Sequence, residues 1–123
     1  MNTVLLIEDS LTETEMLTRY LQQAGLLVIS AKSSEEAQTH LNGHIPDLIV
    51  LDVILPGQSG FELCRELKTN QNTKQIPIVM CSTKNTDVDK MWGNMLGADA
   101  YLPKPVNQTE LLQTVCRLMG KVA

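Results

Sequence analysis

Cysteine is sparse and unpaired in this sequence. Cys64, Cys81 and Cys116 are far apart, odd in number and free of any Cys-x-x-Cys spacing. That leaves no sign of a disulfide framework, and the three read as small apolar fillers, reduced thiols of a cytoplasmic protein. Basic charge is equally unclustered. The ten Lys and Arg residues are scattered, so there is neither a basic stripe for nucleic acid nor a basic helical face for a membrane surface. No apolar run approaches the length of a spanning helix, and the opening MNTVLLIEDS lacks the basic start of a signal peptide. Low-complexity tracts, linkers and internal repeats are missing as well.

What remains is an ordinary globular composition. With 123 residues, 43% of them hydrophobic and 20% charged, the chain suits one domain with a real core. Short apolar runs alternate with helical patterns. TVLLI (3–7), LLVISA (26–31), LIVL (48–51), IVMCS (78–82) and AYL (100–102) read as strands. Continuous rather than alternating apolarity implies burial on both faces, as in parallel sheets. Between the strands, Met16, Leu17, Tyr20, Leu21 and Ala24 fall on one helical stripe; Val88, Met91, Trp92, Met95 and Leu96 form a second, and Leu111, Leu112, Val115, Leu118 and Met119 a third. Capping-box spacings at Ser10…Glu13, Ser33…Glu36 and Ser59…Glu62, with weaker ones at Thr86…Asp89 and Asn107…Glu110, mark helix starts. Gly25 and Gly97 suit helix ends. Five strands alternating with five helices predict a three-layer α/β/α sandwich with right-handed crossovers.

Ligands of open α/β sheets gather beyond the carboxyl ends of the strands. There the first strand ends in Glu8-Asp9, the third in Asp52 and the fourth in Ser82-Thr83, and the fifth is followed by Lys104-Pro105. The stretch LIVLDVILPG, residues 48 to 57, is odd because a carboxylate interrupts an apolar run, and an unpaired buried charge is costly. At the mouth of its strand, Asp52 can stand beside Glu8 and Asp9. Three carboxylates so close repel one another, and a hard divalent cation relieves the repulsion; oxygen ligands with room for water suit Mg²⁺. Three negative charges balance Mg²⁺ and Lys104. Singly, each residue has a bland reading: a turn or cap acid for Asp52, a helix-dipole pair for Glu8-Asp9, loop hydroxyls for Ser82 and Thr83, a solvated charge for Lys104. Their convergence on one edge is what points to chemistry.

The motifs LLIEDS (5–10), LIVLDVILPGQSG (48–60), IPIVMCST (76–83) and GADAYLPKPV (97–106), in that order and spacing, resemble the receiver domains of two-component response regulators in their stand-alone CheY-like form. The resemblance covers essentially the whole chain. It implies a five-stranded parallel sheet in the order 2-1-3-4-5. It also implies roles for single residues. Asp52 is the expected phosphoryl acceptor; Glu8, Asp9, Asp52 and the backbone carbonyl of Ile54 are the expected Mg²⁺ ligands, with Mn²⁺ as a substitute. Ser82, Thr83 and Lys104 would hold the phosphoryl group, Ser82 and Tyr101 would form the switch, and Lys104-Pro105 would be joined by a cis peptide. The expected donor is a phosphohistidine on a sensor histidine kinase or phosphotransfer protein. The expected readout is the surface of helix 4, strand 5 and helix 5, offered to a separate target protein. A single domain spanning 1–123 with no output domain is expected, a signalling switch and not an enzyme beyond its own self-phosphorylation and dephosphorylation.

Glu8 stands where Asp is commoner and Ser82 where Thr is, both keeping the needed chemistry. Ile54 and Lys84 occupy the two variable positions flanking the phosphoryl group, and Ile54 is expected to hinder water and lengthen the phosphorylated lifetime. The stretch MWGNMLGADAYLPKPV also resembles regulators of type IV pilus motility and phototaxis. Three other readings compete. A degenerate receiver, binding partners without phosphorylation, would lack an acceptor, an acidic pair or the lysine. A haloacid-dehalogenase-type phosphatase needs a second acid where Ile54 stands. A flavodoxin-like FMN site needs a glycine- and hydroxyl-rich loop where EDSLTET opens with two acids. Trp92, Met80, Met91 and Met95 read as core, and His40 and His44 as solvated.

Overall fold

Residues 2–120 are described by a computed structural model. Strands β1 (Thr3–Ile7), β2 (Leu27–Ala31), β3 (Leu48–Asp52), β4 (Ile78–Ser82) and β5 (Ala100–Pro103) alternate with helices α1 (Leu11–Gln23), α2 (Ser34–Gly43), α3 (Gly60–Thr69), α4 (Asp87–Met95) and α5 (Gln108–Leu118). The strands form one parallel sheet in the order β2-β1-β3-β4-β5, as expected. Successive side chains of a strand point to opposite faces, so the sheet feeds two cores. Leu5, Ile7, Leu51 and Met80 pack toward α2 and α3 with Leu41, Leu63 and Leu67. Val4, Leu6, Val50 and Val79 pack on the other face toward α1 and α5 with Leu17, Leu21, Leu111 and Val115.

Burial on both faces holds for β1, β3 and β4, every residue of which is buried. β2 and β5 are the sheet's edges, and only Ala31 and Leu102 are fully buried there. All five expected N-caps form: the side chains of Ser10, Ser33, Ser59, Thr86 and Asn107 each accept from the backbone N–H three residues on. The spacing that looked weak, Thr86…Asp89, makes the full reciprocal box, because Asp89 also accepts from the Thr86 N–H. Gly25 and Gly97 follow α1 and α4 with φ of +82° and +102°.

Two helical stripes turn inward and one does not. On α1, Leu17 and Leu21 are buried while Ala24 has passed into the exposed C-cap. On α4, Val88, Met91, Trp92 and Met95 are all exposed, which corrects the expectation that Trp92, Met91 and Met95 belong to the core. Of that stripe only Leu96 packs on the core, and Met80, on β4, is fully buried as expected. The buried residue of α4 is Gly93. A Cβ at Gly93 would lie 2.8 Å from Tyr101 Cδ2 and 3.2 Å from Met80 Sδ. The helix therefore meets the sheet through its glycine, and its apolar stripe faces water. No helix among the described residues is long and apolar enough to cross a membrane.

Candidate functional site at the carboxyl edge of the sheet

Parallel register brings the strand ends level. Ile7 pairs with Ala31 and Leu51, Asp52 with Cys81, and Ser82 with Pro103. Residues just beyond β1, at the end of β3 and β4, and just beyond β5 therefore share one edge. Asp52 is the last residue of β3 itself, buried, not the first residue past it. Glu8 is 2% exposed, whereas Asp9 is open to solvent. Carboxylate oxygens of Glu8, Asp9 and Asp52 lie within 4.8 Å of one another.

Lys104 sits across this cluster. Its Nζ donates to Glu8 Oε1 at 2.5 Å and to Asp52 Oδ2 at 2.9 Å, with the three side chains almost withdrawn from water. Backbone donors complete the arrangement. Ser10 N–H donates to the other Glu8 oxygen at 3.0 Å, and Ile54 N–H donates to Asp52 Oδ1 at 3.1 Å. Burial pushes the Glu8 carboxyl above the ordinary carboxylate value, and the hydrogen bond from Lys104 offsets only part of it. Burial alone would lower Lys104, but its bonds to Glu8 and Asp52 reverse this and hold the ammonium above the usual lysine value. The Lys104-Pro105 peptide is cis, as expected. The Lys104 N–H donates to the Ser82 carbonyl at 3.1 Å, tying the lysine loop to the end of β4.

The turn after Asp52 folds back on β3. Gly60 N–H donates to the Val53 carbonyl at 2.8 Å, and a Cβ at Gly60 would stand 2.1 Å from the Asp52 carbonyl oxygen. No other residue fits there without moving the backbone of β3. Ile54 projects from this turn half exposed.

Ser82 is fully buried and Thr83 is exposed, so of the two adjacent hydroxyls only Ser82 is packed into the edge. Ser82 Oγ accepts from the Lys84 N–H at 3.1 Å. The Tyr101 hydroxyl donates to the Lys84 carbonyl. Burial pushes the Tyr101 phenol up to about 12, which keeps its proton available for that bond. The backbone of Lys84 thus bridges Ser82 to Tyr101, and the Tyr101 ring lies against Gly93 of α4. The sequence marks Lys84 for its basic side chain, whereas the structure uses its backbone and brings in Gly93. The signal present in the sequence is a glycine inside a helical stripe, where almost any other residue would favour the helix more.

The remaining reactive groups are quiet. Burial raises the Cys81 thiol to about 12 and the Cys64 thiol to about 11, so neither is a thiolate at neutral pH. Cys116 is partly exposed, and His40 and His44 are exposed, in keeping with the solvated reading of the histidines.

The geometry has counterparts among known proteins. The family model described as the response regulator receiver domain matches residues 4–116. Protein PilH of Pseudomonas aeruginosa is 35% identical over 112 residues, which cover 91% of this chain and 93% of that protein. The phosphate regulon transcriptional regulatory protein PhoB of the same species is 38% identical over 121 residues, 96% of this chain but 53% of that protein, so the chain spans about half of PhoB. The crystal structure of the chemotaxis response regulator CheY4 of Vibrio cholerae superposes with a TM-score of 0.88 at 33% identity, covering 96% of this chain and 98% of that one.

Proposed function

The chain belongs to the response regulator receiver domain family, and from that premise we propose that it is a phosphorylation-controlled signalling switch in which Asp52 accepts a phosphoryl group. Receiver domains are signalling switches rather than enzymes, and they bind Mg²⁺ through an acidic cluster. The observation that carries the proposal is the buried trio of Glu8, Asp52 and Lys104 with Asp9 open beside it. Glu8, Asp9 and Asp52 supply three oxygen donors, the set a hard cation of the Mg²⁺ kind takes, and these residues with the Ile54 carbonyl would hold it. When bound, that cation would supply positive charge to the transferred oxygens.

The residues of the chain do the rest. An Asp52 oxygen forms a bond to phosphorus as the phosphorus–nitrogen bond of a phosphohistidine breaks, the donor being a sensor kinase or phosphotransfer protein. Lys104 already reaches Asp52 and would follow the new negative charge. Ser82 would donate its hydroxyl proton to a phosphoryl oxygen, and Thr83, exposed next to it, has at most an outer role. Through the Lys84 backbone the change at Ser82 would be transmitted to Tyr101, biasing the surface of α4, β5 and α5 toward one state. A separate target protein would read that surface; a pathway in pilus motility or taxis accords with the likeness of residues 91–106 to such regulators. Ile54, half exposed beside Asp52, would screen the acyl phosphate from water, so Ile54→Asn should shorten its lifetime.

Intact mass after incubation with acetyl phosphate and Mg²⁺ tests the reading. One added phosphoryl mass, lost in Asp52→Asn and in EDTA, is the expected result. No gain with either acetyl phosphate or a phosphohistidine donor, together with no response to beryllofluoride, would leave a degenerate receiver acting as a phosphorylation-independent binding module.

A further inference from the structure

Four large apolar side chains of α4 are turned to water: Val88 is 58% exposed, Met91 54%, Trp92 50% and Met95 69%. A patch of this kind on one short helix marks an interaction site more often than chance exposure does. It does not lie flat. On the flank of α4 away from Tyr101, a groove of about 450 Å³ runs between α3 and α4, floored by Phe61, Val88, Trp92 and Leu96, with Glu62 and Arg65 on its α3 rim.

The rim charges differ in how far they are satisfied. Lys84 and Asp89, which also line the groove, are tied to each other at 3.6 Å, and Asp89 accepts from the Thr86 hydroxyl as well. Glu62 and Arg65 make no ion pair among the described residues. Three residues apart, they stand one helical turn from each other on the same face of α3. An acid and then a base, both free, border an apolar floor.

Size decides the occupant. α4 has nine residues and is therefore about 13 Å long. A stable contact between two whole domains needs roughly 800 Å² from each partner, more than one such helix and its groove provide, so a second copy of the chain is too large a demand. A single helix laid in a groove needs only anchors at i, i+3 or i+4, and i+7. We propose that the α3–α4 groove binds one amphipathic helix of a partner protein, its apolar side chains on Val88 and Trp92, a basic side chain facing Glu62 and an acidic one facing Arg65. The order of those two charges sets the direction of the bound helix. The groove shares α4 with the α4–β5–α5 surface but opens on its other flank, toward α3.

The test uses the full chain and a displayed library of ~15-residue helical peptides without tryptophan, a length that can hold the anchors and still form a helix. Trp92 is the sole tryptophan, so its emission reports directly on the groove. Enriched peptides should carry apolar residues at the stated spacing, shift Trp92 emission to the blue, and bind at least about tenfold more weakly to Val88→Asp, which buries a charge in the floor. The double variant Glu62→Arg, Arg65→Glu keeps the net charge and exchanges the rim. It should weaken the selected peptides by about tenfold and restore binding to peptides with base and acid exchanged, since two exposed pairs turn from attractive to repulsive. Circular dichroism of both variants checks that they fold. No enrichment over the Val88→Asp control overturns the proposal, as do peptides indifferent to the rim exchange. A concentration-dependent dimer by light scattering that Val88→Asp abolishes would assign the groove to a second copy instead.

Discussion

The edge of the sheet and the outer face of α4 break the same rule in opposite directions. At the edge, Glu8, Asp52 and Lys104 bring three charges into a region almost sealed from water. On α4, Val88, Met91, Trp92 and Met95 leave the core for solvent. The first inversion is compensated inside the molecule, by ion pairs and backbone N–H groups within 3.1 Å. The second has no partner among the described residues. A buried group that is satisfied internally can be held ready for chemistry, whereas an exposed apolar group acquires a partner only from another molecule.

The largest expected effect comes from breaking the internal compensation. Lys104→Met keeps the length and apolar stem of the side chain but removes the ammonium, leaving two buried carboxylates facing each other. Removing one member of a buried ion pair costs about 3–5 kcal/mol, and we expect a loss at the lower end of that range at pH 7 in EDTA, measured by urea denaturation. Mg²⁺ should recover part of it, because the three carboxylates gain a new counter-charge. A loss under about 1 kcal/mol would mean that the edge is wetter than its burial indicates.

Titration of the same cluster should show a smaller effect with a definite sign. The folded-state Glu8 carboxyl stands above its ordinary 4.5. The native protein therefore holds that proton more tightly than the unfolded chain does, and the contribution to stability is complete below pH 4.5. It declines as the pH rises through the raised native value. Glu8→Gln, a fixed mimic of the protonated form, should escape this decline. The stability difference between Glu8→Gln and the unaltered protein, followed in EDTA from pH 4 upward, should move in favour of the glutamine variant. Lys104, also raised, should hold its contribution until the pH passes the usual lysine value of 10.5. A difference that is flat with pH would place the Glu8 carboxyl in ordinary surroundings.

Much of the edge was legible in the chain because its determinants are local. Each acid or hydroxyl directly follows an apolar run, and parallel register then aligns run ends whatever the rest of the fold does. Asp52 proved to be inside β3 and not beyond it, a shift of one residue that leaves its position at the edge unchanged. On α4 helical periodicity states which residues share a face, not which way that face turns, and the stripe expected in the core faces water. The direction was decided by residues distant in the chain: the Tyr101 ring and Met80 Sδ fill the space where a side chain at position 93 would sit. At the end of β4 the two expected phosphoryl-binding residues differ in setting, Ser82 buried and Thr83 exposed.

Gly93 joins the two regions, and its replacement should sharpen the contrast. Gly93→Ala adds about 1 kcal/mol of helix propensity but sets a methyl 2.8 Å from Tyr101 Cδ2. Overpacking of this kind costs about 1–3 kcal/mol, so a net loss of about 1 kcal/mol is expected. In a Tyr101→Ala background the ring is gone, and the same substitution should stabilise by about 1 kcal/mol. A change of sign across this double-mutant cycle, read from urea midpoints, would establish that the ring and not the helix sets the demand for glycine. Equal effects in both backgrounds would transfer it to Met80.

The smallest expected effect is the one that separates the two inversions most cleanly. Met95→Gln exchanges an apolar side chain for a polar one of similar length on the most exposed member of the α4 stripe, 69% open to solvent. If Met95 contributed to the fold in the way that Leu17 or Leu111 does, the exchange would cost several kcal/mol, since truncation of a buried side chain of that size costs about 2–5 kcal/mol. A side chain that keeps most of its surface in water has little transfer free energy to lose, and glutamine and methionine have nearly equal helix propensity. Stability should therefore stay within about 0.5 kcal/mol of the unaltered protein. The same holds for Met91→Gln. Should either cost more than about 1.4 kcal/mol, the stripe would have a structural partner after all, and the contrast between a region satisfied from within and one satisfied from outside would fail at its second term.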